Sequence, residues 1–286
     1  MPLLSLLRRI VLAALVLPSL WAEELPPARV SFRTYGVSEG LRNLAVWSMV
    51  QDRRGFLWVG TEGGVYRYDG HRFAPFTQDR ELKLGEVFAI HEDPGGTLWV
   101  GGFGGLVRFD GERFVPTGIT QQVDHIVSGP DGRIWCTTPK GPFHQAADGS
   151  LQPVPGWPGG EATALWASPD RTTLWVALTR STGGAPETRI ISWQAGIWRG
   201  GNLPQPFRDE RIDSLAGDPQ GRLWARSSTR LWVMERTGLP FTAATTPLPP
   251  IHNRGTLSLD RRGRLWVPTS QALMMFEDGR WTVLDP

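Results

Sequence analysis

The feature that most constrains the fold of this chain is an internal repeat of about 40 residues. Residues 44–73 consist of a β-run, a turn, two further β-runs and an Asp-Gly pair, and residues 87–111 repeat that order 41 positions later. A tryptophan preceded by an aliphatic residue marks each copy, which aligns the copies on Trp58, Trp99, Trp135, Trp175, Trp224 and Trp266. A repeat of this length indicates a solenoid or a propeller before any local propensity is considered.

Each copy contains short β-rich segments separated by Gly, Asp and Pro, which is the pattern of a four-strand meander. The sequence therefore predicts an all-β fold, a β-propeller of about six four-stranded blades, with an incomplete seven-bladed ring as the alternative. We expect one propeller domain over residues 30–286, because no polar linker or low-complexity segment interrupts it. The six tryptophans are expected to fill the wedges between neighbouring blades, since each brings roughly 150–250 Å² of buriable surface.

Two kinds of turn punctuate the copies. Asp-x-x-Gly joins the first and second strands, and we expect its Asp to cap the turn and its Gly to adopt positive φ. This motif is intact in four copies, at Asp52 and Gly55, Asp93 and Gly96, Asp218 and Gly221, and Asp260 and Gly263. Asp-Gly, a strong hairpin signal, joins the third and fourth strands at Asp69-Gly70, Asp110-Gly111, Asp148-Gly149 and Asp278-Gly279.

The first 22 residues differ from the rest of the chain. Arg8 and Arg9 precede an apolar run over residues 10–17, and a small residue, Ala22, ends the segment. This pattern predicts a secretory signal peptide over residues 1–22, and therefore a periplasmic or extracellular mature protein; an uncleaved N-terminal anchor is the alternative. Removing the leader takes the formal charge from +2 to neutral. The remaining basic residues are scattered, so no nucleic-acid partner is predicted.

The repeat Asp-x-x-Gly-x-Leu-Trp-Val-Gly, followed by a strand that ends in Asp-Gly, resembles the two-component-regulator propeller repeat. The first two copies, residues 52–70 and 93–111, match it nearly throughout, whereas Gly129 and Ser168 replace the Asp in the third and fourth copies. The resemblance implies a ligand-sensing domain of the kind found in the periplasmic halves of hybrid histidine kinases and some diguanylate cyclases. Any kinase or cyclase activity would then belong to a separate output domain.

An exported propeller hydrolase or lyase acting on a glycan or a lactone is the alternative function. Such an enzyme needs a catalytic base, but the five histidines fall at unrelated positions of the repeat, and none is paired at metal-ligand spacing. We therefore predict no catalytic residue, no metal and no cofactor. The single cysteine, Cys136, replaces the valine that follows the anchor tryptophan in other copies, and it is predicted to be core filler.

The ligand site is predicted on one rim of the ring. Because strand direction alternates, both kinds of Asp turn lie on one rim, here termed the turn rim, and that rim is uniform. The opposite connector rim carries the loops between second and third strands and the connections between blades, which vary most. We expect a small-molecule or oligosaccharide ligand there, and a second copy of the chain or a membrane signalling protein as partner. The candidate residues are Phe103 for stacking and, for anionic groups, Lys140, Arg180 and Arg230.

Residues 30–35 resemble the fourth strand of a blade, yet they precede the first complete copy. An unpaired β-edge is costly, so we expect this strand to be covered by the end of the chain. In a six-bladed ring it would pair with the sixth blade, beside residues 280–284.

Overall fold

The computed structural model describes residues 33–76, 84–181, 185–200, 207, 209–244 and 255–284. The chain divides into two compact units, Met1–Arg33 and Thr34–Pro286. Only Arg33 of the first unit is described, so the predicted signal peptide over residues 1–22 lies outside the described residues. The second unit consists of β-strands and one short 3₁₀ helix, Val37–Glu39, over its described ranges. In those ranges no helix is both long and apolar enough to cross a membrane.

Within the described residues, 24 strands form six antiparallel sheets, and each sheet is a blade of four successive strands. The first three blades are β1–β4 (Val46–Gln51, Leu57–Thr61, Gly64–Tyr68, Phe73–Pro75), β5–β8 (Val87–Glu92, Leu98–Gly102, Gly105–Phe109, Phe114–Pro116) and β9–β12 (Ile126–Ser128, Ile134–Thr138, Gly141–Gln145, Leu151–Pro153). The last three are β13–β16 (Glu161–Ala167, Leu174–Arg180, Glu187–Gln194, Ile197–Arg199), β17–β20 (Ile212–Gly217, Leu223–Ser227, Leu231–Met234, Thr242–Ala243) and β21–β24 (Ser258–Leu259, Leu265–Pro268, Leu273–Glu277, Arg280–Leu284).

The blades are arranged in a ring, and residues from all six line one cavity at its axis. Five hydrophobic clusters each join a blade to the next one along the chain. The prediction of a six-bladed, all-β propeller is therefore confirmed. Cys136 lies in one of these clusters, and burial raises the pKa of its thiol to about 12, so it is core filler as predicted.

The anchor tryptophans fill the wedges between blades to different degrees. Four of them are at most 4% exposed, as expected for wedge fillers: Trp58, Trp99, Trp135 and Trp224. Trp175 and Trp266 are only half-buried.

The Asp of the repeat binds both its own turn and the anchor tryptophan. Asp218 Oδ1 accepts the backbone N–H groups of Gln220 and Arg222 at 3.1 and 3.0 Å, and Oδ2 accepts the indole N–H of Trp224 at 2.9 Å. Gly221 ends the turn with φ of 81°, where other residues are strained. The same indole bond, here termed the Asp–Trp clamp, recurs at 2.8–3.1 Å in Asp52–Trp58, Asp93–Trp99 and Asp260–Trp266. The prediction that the Asp caps the turn is confirmed. The Asp also binds the anchor tryptophan, which the sequence did not predict.

The third and fourth blades keep the turn without the Asp. In the third blade the Trp135 ring occupies the space of the missing side chain, because a Cβ on Gly129 would lie 2.2 Å from it. The buried Trp135 Nε1 has no hydrogen-bond partner within the described residues. In the fourth blade Ser168 Oγ accepts the backbone N–H of Thr173 at 3.0 Å and closes the turn. The departures read from the sequence thus remove the clamp from these two blades and leave the turn in place.

The prediction that residues 30–35 pair with the sixth blade is wrong for residues 33–35, which the structure describes. Residues 30–32 lie outside the described residues, and residues 33–35 are not in a strand. Tyr35 instead packs edge-on against the first blade, with its ring centroid 5.5 Å from that of Tyr68 and 5.8 Å from that of Phe73. The reason is that these two aromatic rings offer Tyr35 an apolar surface, whereas neighbouring positions of β24 are exposed.

The seam between the sixth and first blades is packed less tightly than the others. Met49 is 64% exposed and Val46 is 39% exposed, whereas their counterparts in other blades, such as Leu215 and Val87, are buried. Among the described residues, the cluster on this face of the first blade contains only that blade and residues 35 and 41, before it. No comparable cluster of described residues joins the sixth blade to the first.

We expect Asp218→Ala to lower the free energy of unfolding by about 2–3 kcal/mol. The substitution leaves the buried indole N–H of Trp224 and two turn N–H groups without their acceptor, and each such loss costs about 1–3 kcal/mol. Asp148→Ala, in an exposed hairpin turn, is the control and should cost less than about 1 kcal/mol. Urea unfolding measures both, and equal losses would contradict a special role for the clamp.

The fold should also lose stability in acid through Asp260. Burial opposes ionisation of this carboxyl, but hydrogen bonds from Trp266 and Arg264 outweigh burial and lower the pKa of Asp260 to about 2. A lowered pKa contributes stability above the usual Asp value of about 3.9, and this contribution disappears as the pH falls towards 2. Asp260→Asn should therefore be less stable at neutral pH and should show a shallower loss between pH 4 and 2. If the free energies of unfolding of the wild type and the variant fell equally between pH 4 and 2, this assignment would be contradicted.

Candidate functional site

The innermost strands of four blades carry a β-bulge near their first residue. In the first blade the register shifts between Val46 and Ser48, which leaves Trp47 as the extra residue. The same shift leaves Phe88, Thr163 and Asp213 as extra residues in the second, fourth and fifth blades. A bulge re-aims a side chain, and all four residues line the axial cavity. Because innermost strands begin at the connector rim, the cavity lies on the rim predicted to bind ligand.

Aromatic side chains form one wall of the axial cavity. The rings of Trp47 and Phe88 meet edge to face, with centroids 6.0 Å apart. The indole N–H of Trp47 is buried and has no hydrogen-bond partner within the described residues. This wall therefore offers both a planar apolar surface and an unpaired donor, which suits a ring compound with polar substituents.

Charged side chains form the wall across the axis. Arg211 binds both oxygens of Glu161, at 2.6 and 2.8 Å, and its Nε donates to Asp213 at 3.0 Å. Burial lowers the pKa of Arg211, but the two carboxylates outweigh burial and raise it. Asp124 also lines the cavity and accepts a hydrogen bond from Gln122 at 2.7 Å. The cavity is thus aromatic on the side of the first two blades and charged on the opposite side.

The enclosed part of the axial cavity is small, about 40 Å³. This volume is far below the range of about 300–1,000 Å³ found for ligand pockets. A ligand at this site would therefore cover the mouth of the cavity and contact the side chains at its edge.

A buried cation lies next to the cavity. Arg226 is 1% exposed, and its Nη2 donates to the carbonyl of Pro268 in the next blade. Its Nε and Nη1 have no hydrogen-bond partner within the described residues. The guanidinium packs on Gly255, a cavity-lining residue, because a Cβ there would lie 2.1 Å from Cζ. Burial lowers the pKa of Arg226 to about 10, against the attraction of Asp213; the side chain stays charged at neutral pH.

Two histidines occupy distinct environments near the axis. His91, in β5, is half-buried with Nε2 2.8 Å from Ser128 Oγ, and desolvation of the ring lowers its pKa to about 4, so the imidazole is neutral at neutral pH. His125 lines the axial cavity. In the described ranges no group of three or more His, Cys, Asp or Glu residues is placed to hold a metal ion.

The four residues predicted from the sequence lie on four different blades at the connector rim. Phe103 and Lys140 are exposed in turns between second and third strands. Arg180 donates to the carbonyl of Pro158, and Arg230 pairs with Glu210 at 3.3 Å. Within the described part of the chain, no hydrogen bond or ion pair joins any two of them. Their role in ligand binding stays a prediction.

The axial residues were missed because they belong to a variable position of the repeat. Trp47, Phe88 and Asp213 each stand five residues before the repeat Asp, and Gly255 has the same place in the sixth blade. The position before it is apolar in the first, second and fifth blades. Aligning the copies position by position would have shown this change of chemistry directly after an apolar position.

Comparison with protein families finds one match within the first blade and the segment before it. The family model described as "Two component regulator propeller" matches residues 40–63. The match confirms the resemblance of the repeat read from the sequence. No curated protein matches the chain.

Comparison with solved structures finds propellers of different functions. The extracellular domain of a protein described as a hybrid two component system, from B. thetaiotaomicron, has a TM-score of 0.68 and 21% identity, over 89% of this chain and 36% of that one. Virginiamycin B lyase from Staphylococcus aureus has a TM-score of 0.64 and 13% identity, over 85% and 84%. A gluconolactonase from Xanthomonas campestris has a TM-score of 0.56 and 18% identity, over 84% and 86%.

These similarities show a shared propeller fold. The chain spans between 36% and 38% of the length of the sensor domains it matches, whereas it spans most of the two enzymes. Sensor domains and enzymes thus both use blades of this kind, and function must be argued from the residues of this chain.

Arg226→Met should leave the free energy of unfolding unchanged or raise it by about 1 kcal/mol or more, because an apolar side chain removes an incompletely bonded buried charge. The matched control is Arg222→Met in the same blade. Arg222 donates to Asp218 at 2.6 Å and stacks 4.9 Å from the Phe276 ring centre, so its loss should destabilise the protein. Urea unfolding tests both, and a loss above about 2 kcal/mol in Arg226→Met would show a structural role.

Proposed function

We propose that this chain is the ligand-binding propeller of a signalling system of the two-component type, acting outside the cytoplasm. The repeat match at residues 40–63 and the fold shared with extracellular sensor domains support this proposal. In it, the leader over residues 1–22 exports the chain, and ligand binding controls a histidine kinase or a diguanylate cyclase. The ligand is a small molecule or an oligosaccharide.

The observation that carries the proposal is the variety of side chains at the axis. The turns and tryptophans of the blades recur because the fold needs them, whereas the bulged residues differ from blade to blade. Trp47 and Phe88 provide a stacking surface, and Arg211 and Asp213 provide a donor and an acceptor across the axis. A ligand over the mouth would contact blades on both sides of the ring and bind the folded state alone, which stabilises it.

A lyase or lactonase acting on a glycan or a lactone is the second candidate function. Two observations favour it: the enzymes named above share the fold over most of their length, and His125 lies in the axial cavity, where an imidazole could act as a base. The binding function is preferred because the aromatic and charged walls account for the cavity without a catalytic group.

The experiment is a thermal-shift screen of the mature protein against glycans and small metabolites, followed by calorimetric titration of each hit. Trp47→Ala should weaken binding at least tenfold, since aromatic residues at binding sites commonly contribute more than about 1.4 kcal/mol. Ile197→Ala removes an exposed apolar side chain on the turn rim and should leave the Kd unchanged.

Two results would contradict the proposal. Unchanged affinity in Trp47→Ala, with a loss in Phe103→Ala or Lys140→Ala, would move the site to the outer loops. Steady turnover of a hit, abolished by His125→Ala, would make the protein an enzyme.

A further inference from the structure

The wedge between two blades is closed at the turn rim by a pair of side chains from the following blade. The pair consists of the third-strand residue directly after the register partner of the anchor tryptophan, and of the residue opposite it in the fourth strand. The pair is aromatic in the second, fourth and sixth blades, where it is Phe109–Phe114, Trp193–Trp198 and Phe276–Trp281. In the third blade the corresponding pair is Gln145–Leu151. The wedge between the second and third blades therefore lacks an aromatic pair. In the fifth blade Met234 holds the third-strand position, but there it is buried in the cluster with Phe207 and Phe241.

The wedge between the first and second blades shows the filled state. The Trp58 ring centroid lies 4.9 Å from Phe76, 5.6 Å from Phe109 and 6.0 Å from Phe114. The Arg67 guanidinium covers this cluster, 4.6 Å from the Phe56 ring centre. Aromatic rings thus occupy the whole space between the two blades at this rim.

The next wedge has the same positions with smaller or polar side chains. Trp99 and Arg108 keep the places of Trp58 and Arg67. The other positions change, with Thr97 for Phe56, Thr117 for Phe76, Gln145 for Phe109 and Leu151 for Phe114. These replacements leave an open cavity of about 470 Å³, lined by all six residues of the second wedge. That volume falls in the range of about 300–1,000 Å³ found for ligand pockets.

The side chains that remain can bind a polyhydroxylated ring. Trp99 is held by its bond to Asp93 at 2.9 Å and borders the cavity, although only 4% of its surface is exposed. Arg108 is exposed and makes no hydrogen bond or ion pair within the described residues, although Asp110 is near enough to interact with it electrostatically. Together with the Gln145 amide and the Thr97 hydroxyl, Arg108 offers donors and acceptors around the cavity, and sugar hydroxyls need both.

A cavity at the turn-rim end of a wedge is unfavourable for the fold, because protein interiors are close-packed. The chain builds filled wedges elsewhere from the same repeat, so its positions can carry aromatic residues. Polar replacements that retain the tryptophan and the arginine are the arrangement expected where local packing gives way to function.

We propose that the wedge between the second and third blades is a second binding site, whose cavity takes a sugar residue of an oligosaccharide with Arg108 and Gln145 as its polar partners. This site opens at the turn rim and shares no residue with the axial cavity. It does not depend on the signalling role proposed above.

The test fills the wedge with the residues of its neighbour. Wild-type protein and the double variant Gln145→Phe, Leu151→Phe are applied to an array of neutral, uronate-containing and sulfated oligosaccharides. The wild type should bind at least one glycan, and the filled variant should lose at least tenfold in affinity while its Tm stays the same or rises. Arg108→Gln, a surface change that leaves the core intact, should lose at least tenfold as well.

The matched control is Arg67→Gln, the same position in the filled wedge, which should bind like the wild type. Absence of glycan binding by the wild type, or full binding by the filled variant and by Arg108→Gln, would overturn the proposal. If Trp47→Ala alone abolishes glycan binding, the axial site stands and the wedge site is wrong. If Arg108→Gln abolishes glycan binding and Trp47→Ala does not, the wedge site stands and glycan binding at the axial site is wrong.

Discussion

The Asp–Trp clamp is the interaction on which four of the six blades depend. One carboxylate binds the turn between the first two strands through Oδ1 and the indole of the second strand through Oδ2, as Asp218 does for Trp224. The bond satisfies an indole N–H that would otherwise be buried unpaired at a cost of about 1–3 kcal/mol. It also fixes the ring in the orientation that faces the next blade. Local turn chemistry and packing between blades are therefore coupled through a single side chain.

Most of the fold could be predicted from the sequence because its determinants are local and repeated. The turn residues, the anchor tryptophans and the spacing of the copies each specify the same four-stranded unit, and the structure has six such units. Ring closure could not be predicted in this way, since it depends on a contact between distant parts of the chain. Tyr35 resembles a strand residue locally, yet the aromatic pair Tyr68 and Phe73 holds it on the first blade.

The candidate sites lie where the repeat varies, which is why the sequence indicated the connector rim but not the axial residues. Residues that recur in every copy mark positions that the fold requires. Positions that differ from copy to copy do not stand out in a search for repeats. Trp47, Phe88 and Asp213 occupy one such position, and the bulge that directs them to the axis becomes visible only in the register of paired strands. Arg226 is similar, because glycine or a small residue holds its place in the other copies except for Pro268.

The wedges of a repeat protein can be compared with one another, because equivalent positions carry different residues in different wedges. The first wedge buries its tryptophan under three phenylalanine rings. The second keeps the tryptophan and the arginine but has Thr, Thr, Gln and Leu where the first has Phe. A purely structural requirement would be met best by the filled version, which the chain already contains. The four replacements open a ligand-sized cavity with polar side chains and an exposed arginine on its walls, so function explains that wedge better than packing does.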